Sequence, residues 1–262
     1  MNRQSRLSAI LSFLSEKGSL DVEDASSVLK VSSATIRRDF DALARRQLLT
    51  RTHGGAISTN SSYELPLSYK IVKNSEGKQR IARTAAALVS RGNVIGFNGG
   101  TTTTEVARAI ANRPEFNFGP NASALTVVTN ALNIAVELVV RQHIKIVVTG
   151  GVVRPDSYEL AGPFAEPILD ELLLDIAFLG VVALDPVMGA LADHEDEAMV
   201  NRHIAARARR VIVVADSSKL GERAFACISP TNQIDQIITD APLPEAAAKQ
   251  FRDAGVEIVI AK

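Results

Sequence analysis

The chain has 262 residues with 29 Lys or Arg and 29 Asp or Glu, so its formal net charge is zero. This length allows two domains, and 46% hydrophobic with 22% charged residues excludes a disordered chain. No apolar run reaches the roughly 18 residues of a membrane span, and the single cysteine, Cys227, excludes an internal disulfide. We therefore expect a cytoplasmic protein with no membrane partner.

The charge is unevenly distributed along the chain. Residues 1–57 hold nine basic and six acidic side chains, a net charge of +3, and the remainder carries −3. This asymmetry favours contact between the N-terminal segment and a polyanion.

The hydrophobic spacing of the first 57 residues predicts three helices and a hairpin. A first amphipathic helix ends at Gly18, a second follows Asp21, and a third covers about 33–46. Two short strands, at 48–51 and 56–57, flank a glycine turn. The inward-facing positions of the first two helices are Leu7, Ile10, Leu11, Leu14, Val22, Ala25, Val28 and Leu29.

Residues 58–62 have the composition of a linker, and from about residue 76 strands and helices alternate. The strand candidates are 94–97, 125–129, 144–149, 176–182, 211–215, 236–239 and 256–260. The helix candidates are 78–90, 102–111, 131–141, 164–173, 195–208 and 243–253. Because the strands are apolar on both faces, they indicate a largely parallel sheet covered by helices.

The third helix has the pattern of a DNA-reading element. On a helical wheel Ile36, Phe40 and Leu43 cluster on one side and must face the core, which leaves Arg38 on the opposite side and Arg37 on the flank. Arginine can bond guanine in a bidentate way or clamp phosphates. The alternative is that these arginines form an ordinary solvated face.

Two stretches of this region resemble the DeoR family of bacterial repressors: 31–40 reads V-S-S-A-T-I-R-R-D-F and 51–56 reads R-T-H-G-G-A. The family's V-S-x-x-T-I-R-R-D-L and R-x-H-G-G-A motifs occur at these spacings, and Phe40 replaces the usual Leu at a packing position. The resemblance implies a helix-turn-helix at residues 20–39 followed by a wing. The DNA contacts that it implies are Ser33, Thr35, Arg37, Arg38, Arg51 and His53. For His53, a hydrogen bond that stabilises the turn is an equal alternative.

The second informative segment is the threonine loop, residues 98–104, which reads N-G-G-T-T-T-T between a strand and a helix. Free N–H groups at a helix start, close to glycines, can hold a phosphate or carboxylate. Neither G-x-G-x-x-G nor a Walker A pattern is present, which disfavours dinucleotides and nucleoside triphosphates. The alternative is a tight strand–helix turn capped by threonine.

Polar loops also follow other strands, and in a parallel sheet these strand ends share one edge. Thr129-Asn130, Gly151 with Arg154, and the D-S-S-K stretch ending at Lys219 are of this kind. Arg154 and Lys219 could supply positive charge to a phosphate, although each alone is more often a solvated surface group.

The resemblance to the DeoR family extends to about residue 240, because its sensor carries G-T-T-T, V-T-N, G-G-x-x-R and D-S-S-K segments. It implies phosphorylated sugars and related compounds as effectors, only as a class. Asn98 stands where the family often has Asp, and Gly100 where Ala is common, so no particular effector is carried over. The candidate effector-binding residues are Asn98, Gly99, Gly100, Thr101, Thr102, Thr103, Thr129, Asn130, Gly151, Arg154, Asp193 and Lys219.

The same half is similar to ribose-5-phosphate isomerase, whose fold the family shares. That enzyme needs a D-G-A-D and a K-G-x-G-G segment, whereas this chain has Leu-Gly-Val-Val at 179–182 and Asp-His-Glu-Asp-Glu at 193–197. Leu and Val cannot perform general acid–base chemistry. The acidic stretch could bind a metal or supply a new base; the alternative is a first helical turn enriched in acids.

The sequence therefore predicts an α/β protein: a winged helix-turn-helix at 1–57, a linker at 58–75 and an effector-sensing, mostly parallel α/β domain at 76–262. We expect a DNA-binding transcriptional repressor of a carbohydrate-metabolism operon, released by a phosphorylated sugar or polyol. The partners would be operator DNA, that effector and further copies of the chain, as a dimer or tetramer. No catalytic residue, metal or other cofactor is expected. The alternatives are an isomerase-like enzyme with a DNA-binding head, and a transcriptional activator.

Overall fold

The computed structural model describes residues 3–46, 48–58, 74–116 and 124–262. By its internal contacts the chain divides into two units, Met1–Lys73 and Asn74–Lys262. Most of the expected linker falls on residues 59–73, outside the described residues.

The N-terminal unit has three helices and a small antiparallel sheet. The helices are α1 (Arg3–Lys17), α2 (Val22–Leu29) and α3 (Ser33–Arg45), and the strands are β1 (Ser19–Asp21), β2 (Thr50–Arg51) and β3 (Gly55–Ile57). In the sheet β3 lies between β1 and β2. This is a winged helix-turn-helix, as predicted, except that the pattern gave no sign of the three-residue strand β1.

A compact apolar core joins the three helices of this unit to the wing. Its members are Leu7, Ile10, Leu11, Leu14, Leu20, Val22, Ala25, Ile36, Phe40, Leu43, Leu49 and Ala56. The inward face predicted for α1 is confirmed, but the prediction for Val28 is wrong, since it is 57% exposed. At 100° per residue Val28 lies about 60–120° away from Val22, Ala25 and Leu29, at the rim of the buried face.

The C-terminal unit is built on a parallel sheet. Within the described residues it has seven strands: β4 (Val94–Phe97), β5 (Leu125–Thr129), β6 (Ile144–Val148), β9 (Leu174–Leu179), β12 (Ala208–Val214), β14 (Gln236–Thr239) and β15 (Glu257–Ile260). Their order is β15-β14-β12-β9-β4-β5-β6, and every adjacent pair is parallel. The predicted sheet is confirmed. The sequence placed the end of β9 at Val182, but the strand ends at Leu179.

Helices cover both faces of this sheet and bury two apolar layers. The helices are α4 (Ser75–Ala86), α5 (Thr101–Ala111), α6 (Leu132–Leu138), α7 (Glu166–Asp170), α8 (Glu195–Ala206) and α9 (Glu245–Asp253). Ile81, Val106 and Ile134 pack on one face, and Ile204 and Phe251 on the other. None of the described helices is long and apolar enough to cross a membrane.

Within the described residues of this unit, five short strands outside the main sheet were not predicted from the sequence. A hairpin joins β7 (Val152–Val153) to β8 (Leu160–Ala161), and a second small sheet contains β10 (Ala183–Asp185), β11 (Gly189–Ala192) and β13 (Ala226–Ser229). These strands have two to four residues, too few for an alternating pattern to stand out.

The connections of the main sheet reverse direction between β4 and β9. From β4 the chain proceeds outward through β5 and β6, then returns to the other side of β4 and continues through β9, β12, β14 and β15. Such a switch point opens a crevice at the carboxyl ends of the two central strands, where ligands of α/β proteins bind.

Candidate functional site

Helix α3 presents an exposed basic face. It begins at an N-cap, Ser32, whose side chain accepts the Thr35 N–H, with 3.0 Å between the two hydroxyl oxygens. Ile36, Phe40 and Leu43 are completely buried, as predicted. Arg37 and Arg38 are exposed, and Ser33 and Thr35 are half-buried on the first turn. The arrangement matches a recognition helix, whose N-terminal residues reach base edges in the major groove.

A buried ion pair fixes α3 against α1. The Arg6 Nε lies 2.6 Å from an Asp39 carboxylate oxygen, and the two side chains are 12% and 2% exposed. Asp39 is the acid of the R-R-D motif, so it orients the helix rather than facing outward beside the two arginines. Sequence reasoning missed this role, because Arg6 is 33 positions away.

Arg51 of strand β2 contacts the recognition helix. One guanidinium nitrogen donates to the Arg37 carbonyl oxygen at 3.2 Å and lies 3.3 Å from the Asp41 carboxylate. The guanidinium carbon also lies 5.6 Å from the Phe40 ring centroid. His53 is exposed in the turn of the wing. Arg51 is therefore positioned to brace the wing on α3.

In the C-terminal unit, Asn98 links the two strand ends at the switch point. Its side-chain amide donates to the Gly180 carbonyl oxygen at 2.9 Å, and its oxygen accepts the Gly180 N–H at 2.7 Å. Asn98 is 2% exposed. The double hydrogen bond ends β9 at Leu179 and fixes the base of the threonine loop.

The threonine loop turns sharply into helix α5. Gly100 has φ = 137°, a conformation that strongly favours glycine. The Thr103 and Thr104 hydroxyls donate to the Gly100 carbonyl oxygen at 3.0 and 2.6 Å, so both also close the turn. The first N–H groups of a helix have no carbonyl in the preceding turn. Those of Thr101, Thr102 and Thr103 occupy this position, which binds anions in other proteins.

Glu159 and Asn201 lie beside this loop and were not predicted. Glu159 is 4% exposed, and its Oε1 accepts the Gly99 N–H at 2.6 Å. Its Oε2 accepts from the Asn130 and Asn201 side-chain amides at 3.2 and 3.1 Å. Burial, together with the negative charge of Glu197, raises the pKa of Glu159 to about 8. Nothing in the local sequence marks Glu159 as special.

Arg154 lies on the β7–β8 hairpin and pairs with helix α8. It is 3.1 Å from the Asp196 carboxylate and 3.0 Å from that of Glu197. The acidic stretch at 193–197, considered above as a metal site or a source of a catalytic base, therefore neutralises Arg154 in part. Asp193, just before the helix, is half-buried. Among the residues that the structure describes, no group of three His, Cys, Asp or Glu side chains could hold a metal ion.

The remaining candidate residues lie on the same edge of the sheet. Thr129 is completely buried, and its hydroxyl accepts the Ala131 N–H at 3.0 Å. Gly151 has φ = 135°, and a Cβ there would lie 2.8 Å from the Ala161 carbonyl oxygen. Lys219 ends a 3-10 turn after β12. Since β12 is two strands from β4, it lies roughly 10 Å across the sheet from the threonine loop.

A winged helix-turn-helix joined to an α/β unit with a polar crevice defines a class: DNA-binding regulators that carry a ligand-sensing domain. Two family models match the chain, the DeoR-like helix-turn-helix domain at residues 6–62 and the DeoR C terminal sensor domain at residues 73–241. The chain belongs to the DeoR family of transcriptional regulators, as its motifs predicted.

Similar curated proteins align over nearly their whole length. The HTH-type transcriptional regulator GlpR of Haloferax volcanii is 37% identical, over 95% of this chain and 94% of that protein. The glycerol-3-phosphate regulon repressor of Escherichia coli is 30% identical, over 98% and 99%. The HTH-type transcriptional repressor GlcR of Bacillus subtilis is 33% identical, over 99% and 97%. All three are named as transcriptional regulators or repressors, not as enzymes.

Two solved structures are similar to this chain at lower sequence identity. Ribose 5-phosphate isomerase A of Methanocaldococcus jannaschii has a TM-score of 0.42 and 21% identity, over 56% of this chain and 55% of its own. Translation initiation factor eIF-2B of Pyrococcus horikoshii has a TM-score of 0.45 and 13% identity, over 90% and 86%.

Proposed function

We propose that this regulator represses a carbohydrate-metabolism operon and that a phosphorylated sugar or polyol releases it from the operator. The observation that carries the proposal is the pairing of an exposed arginine face on α3 with a threonine loop at the switch point of the sensor. The repressors of the glycerol-3-phosphate regulon and GlcR, with which this chain aligns end to end, support the same type of function.

In the proposed DNA complex, α3 enters the major groove. Ser33, Thr35, Arg37 and Arg38 would contact bases or phosphates from its first turns. The wing residues Arg51 and His53 would help to hold the head on the duplex, Arg51 through its contacts with α3. Because such heads usually read paired half-sites, we propose that the protein acts as a homo-oligomer.

In the proposed effector complex, the phosphate lies at the start of helix α5. The N–H groups of Thr101 to Thr103 and the close backbone approach that Gly100 permits would bind its oxygens. Lys219 and Arg154 would add positive charge, and Asn130 and Asp193 would contact hydroxyl groups. The effector would release DNA by binding the DNA-free state of the protein more tightly than the DNA-bound state.

The test is a gel-shift titration on the DNA upstream of the protein's own gene, at fixed salt. Arg37→Ala or Arg38→Ala should weaken binding by about 1–3 kcal/mol, whereas Arg252→Ala, on an exposed part of the sensor, should not. Glycerol 3-phosphate, glucose 6-phosphate and other phosphorylated sugars and polyols are then added, with the unphosphorylated compounds as matched controls. We expect at least one phosphorylated compound to release the DNA.

Lys219→Ala tests the sensing half separately. It should bind the DNA as wild type does but require a higher concentration of the active compound, whereas Lys249→Ala should respond normally. Binding without preference for the upstream fragment over random duplex would refute the repressor function. Turnover of a sugar phosphate by the purified protein would favour the enzyme alternative.

A further inference from the structure

The β7–β8 hairpin connects the threonine loop to helix α8. From the turn of this hairpin, the Ser157 hydroxyl donates to the Glu197 carboxylate at 2.5 Å, and Arg154 pairs with the same carboxylate. One residue before β8, Glu159 reaches the other way and accepts the Gly99 N–H of the loop. The hairpin thus contacts helix α8 through the half-buried side chains of Ser157 and Arg154, and the threonine loop through the buried side chain of Glu159.

Glu159 is the central acceptor of this network. Its carboxyl group accepts from a loop N–H on one oxygen and from two asparagine amides on the other. Asn201 lies on α8 and Asn130 follows strand β5, so the contacts of one side chain reach three separate elements. A buried carboxyl group is costly unless its oxygens are satisfied, and here three donors satisfy them.

The packing around Gly99 shows how closely the loop and the acid approach. A Cβ built on Gly99 would lie 2.5 Å from the Glu159 Cγ. Only a glycine N–H can therefore approach the carboxylate at this distance without a shift of the loop or the side chain.

The structure assigns Glu159 as a positioning residue of the effector site, whose buried carboxyl group fixes the threonine loop through Gly99 and ties that loop to helix α8. This inference rests on the proposed function, because it takes the threonine loop as the place where the effector phosphate binds. Glu159 acts through Gly99, so that the N–H groups of Thr101 to Thr103 are held in place before the anion arrives.

The protonation state of Glu159 should then change the affinity of the site for its effector. Glu197 on α8 faces it as a like charge, and Glu197 in turn pairs with Arg154, which also pairs with Asp196. With its pKa raised to about 8, the carboxyl group is largely neutral at pH 7. A phosphate bound at Thr101 to Thr103, two to four residues beyond Gly99, would favour the neutral form of Glu159 further because both groups are otherwise negative. Effector affinity should therefore fall as the pH rises through about 8 and Glu159 ionises.

The first measurement needs no ligand. Hydrogen exchange of the peptide that covers residues 98–104 is compared between full-length wild type, Glu159→Ala and Glu159→Gln. We expect at least tenfold faster exchange at Gly99 in Glu159→Ala and a clearly smaller increase in Glu159→Gln. Gln retains a carbonyl acceptor for the Gly99 N–H, whereas its –NH2 group cannot accept from the Asn130 and Asn201 amides. Glu171→Gln, an exposed glutamate beyond helix α7, serves as the control and should exchange as wild type does.

The second measurement is the affinity for glycerol 3-phosphate or whichever phosphorylated compound is active in the gel shift, at pH 7.0 to 9.5. Glu159→Ala should bind at least tenfold more weakly at pH 7, while Glu159→Gln should lose less affinity than Glu159→Ala. Wild type and Glu171→Gln should lose affinity over this range. Glu159→Gln should lose much less, because its side chain has no proton to release. A purely structural role for Glu159 would not flatten the pH profile.

The outcomes separate this inference from the proposed function. Unchanged loop exchange in Glu159→Ala, or a pH profile of Glu159→Gln as steep as that of wild type, overturns the assignment. If Glu159→Ala does not fold, the Glu159→Gln profile alone decides. If the loop loses protection in Glu159→Ala but no phosphorylated compound binds wild type, the loop contact is supported and the proposed effector class is refuted.

Discussion

Two aspartates of helix α3, Asp39 and Asp41, carry the same charge in different surroundings. Asp39 is 2% exposed and pairs with Arg6, which is itself largely buried. The Asp41 side chain is 52% exposed and pairs with Arg51 at 3.3 Å. An exposed ion pair contributes little to stability, whereas removal of one partner from a buried pair leaves an uncompensated charge.

We therefore predict that Asp39→Ala lowers the local stability of the N-terminal unit by about 3 kcal/mol, because it leaves the Arg6 guanidinium without its buried partner. Asp41→Ala should cost less than about 1 kcal/mol. Hydrogen exchange of the α3 amides in the full-length protein measures both changes. Equal protection of α3 in the two variants would contradict the assignment of Asp39 as the anchor of this helix.

For single residues, the sequence predicted burial better than it predicted hydrogen-bonding partners. The buried positions Ile36, Phe40 and Leu43 followed from helical spacing alone, since a wheel fixes their common face. Glu159 could not be predicted, because its three partners come from 60, 29 and 42 positions away. For Asn98 the pattern predicted a place at the site but not the role, which is to pair with Gly180.

Among the secondary-structure elements, the main sheet was predictable because its central strands, β4, β5 and β9, are almost wholly buried and therefore mostly apolar. The short antiparallel strands were not, since β7 and β8 have only two residues each and β1 pairs with the distant strand β3. The hairpin of β7 and β8 is the most consequential omission, because it carries Glu159 to the threonine loop and Arg154 to helix α8. The strand order, and with it the switch point, also required the structure.

The wing and the recognition helix form one unit through Arg51. Its guanidinium bonds the Arg37 carbonyl oxygen, lies beside Asp41 and approaches the Phe40 ring. An arginine held in this way stabilises the angle at which the wing leaves α3. Its contribution to DNA binding should then be mainly geometric.

We predict that Arg51→Ala weakens operator binding by about tenfold but leaves the dependence of log K on log salt unchanged, because no phosphate contact is lost. Arg38→Ala, if it removes a phosphate contact, should lower that slope by about one. Binding titrations between about 50 and 200 mM salt measure both quantities. A reduced slope for Arg51→Ala would mean that Arg51 contacts the phosphate backbone directly.

At the scale of the whole molecule, charge and chemistry are divided between the two units. The excess of positive charge lies in residues 1–57, where the proposed DNA contacts are. The phosphate site proposed for the sensor relies instead on backbone N–H groups and a few local cations, within a part of the chain that is net negative. A small anion can therefore be bound by the sensor without making it a second, competing surface for DNA.

The proposed homo-oligomer makes a prediction about operator geometry. If two heads bind two half-sites at once, the half-sites must lie on the same face of the duplex, about 10–10.5 base pairs or a multiple apart. Insertion of about five base pairs between them rotates one half-site to the opposite face and should lower affinity at least tenfold. An insertion of about ten should restore much of it, because both half-sites then lie on the same face of the duplex again. Gel shifts on the three operators, with sedimentation velocity of the free protein, measure this. Equal affinity for all three, or a monomer in sedimentation at the concentrations that bind DNA, would mean that each head acts alone.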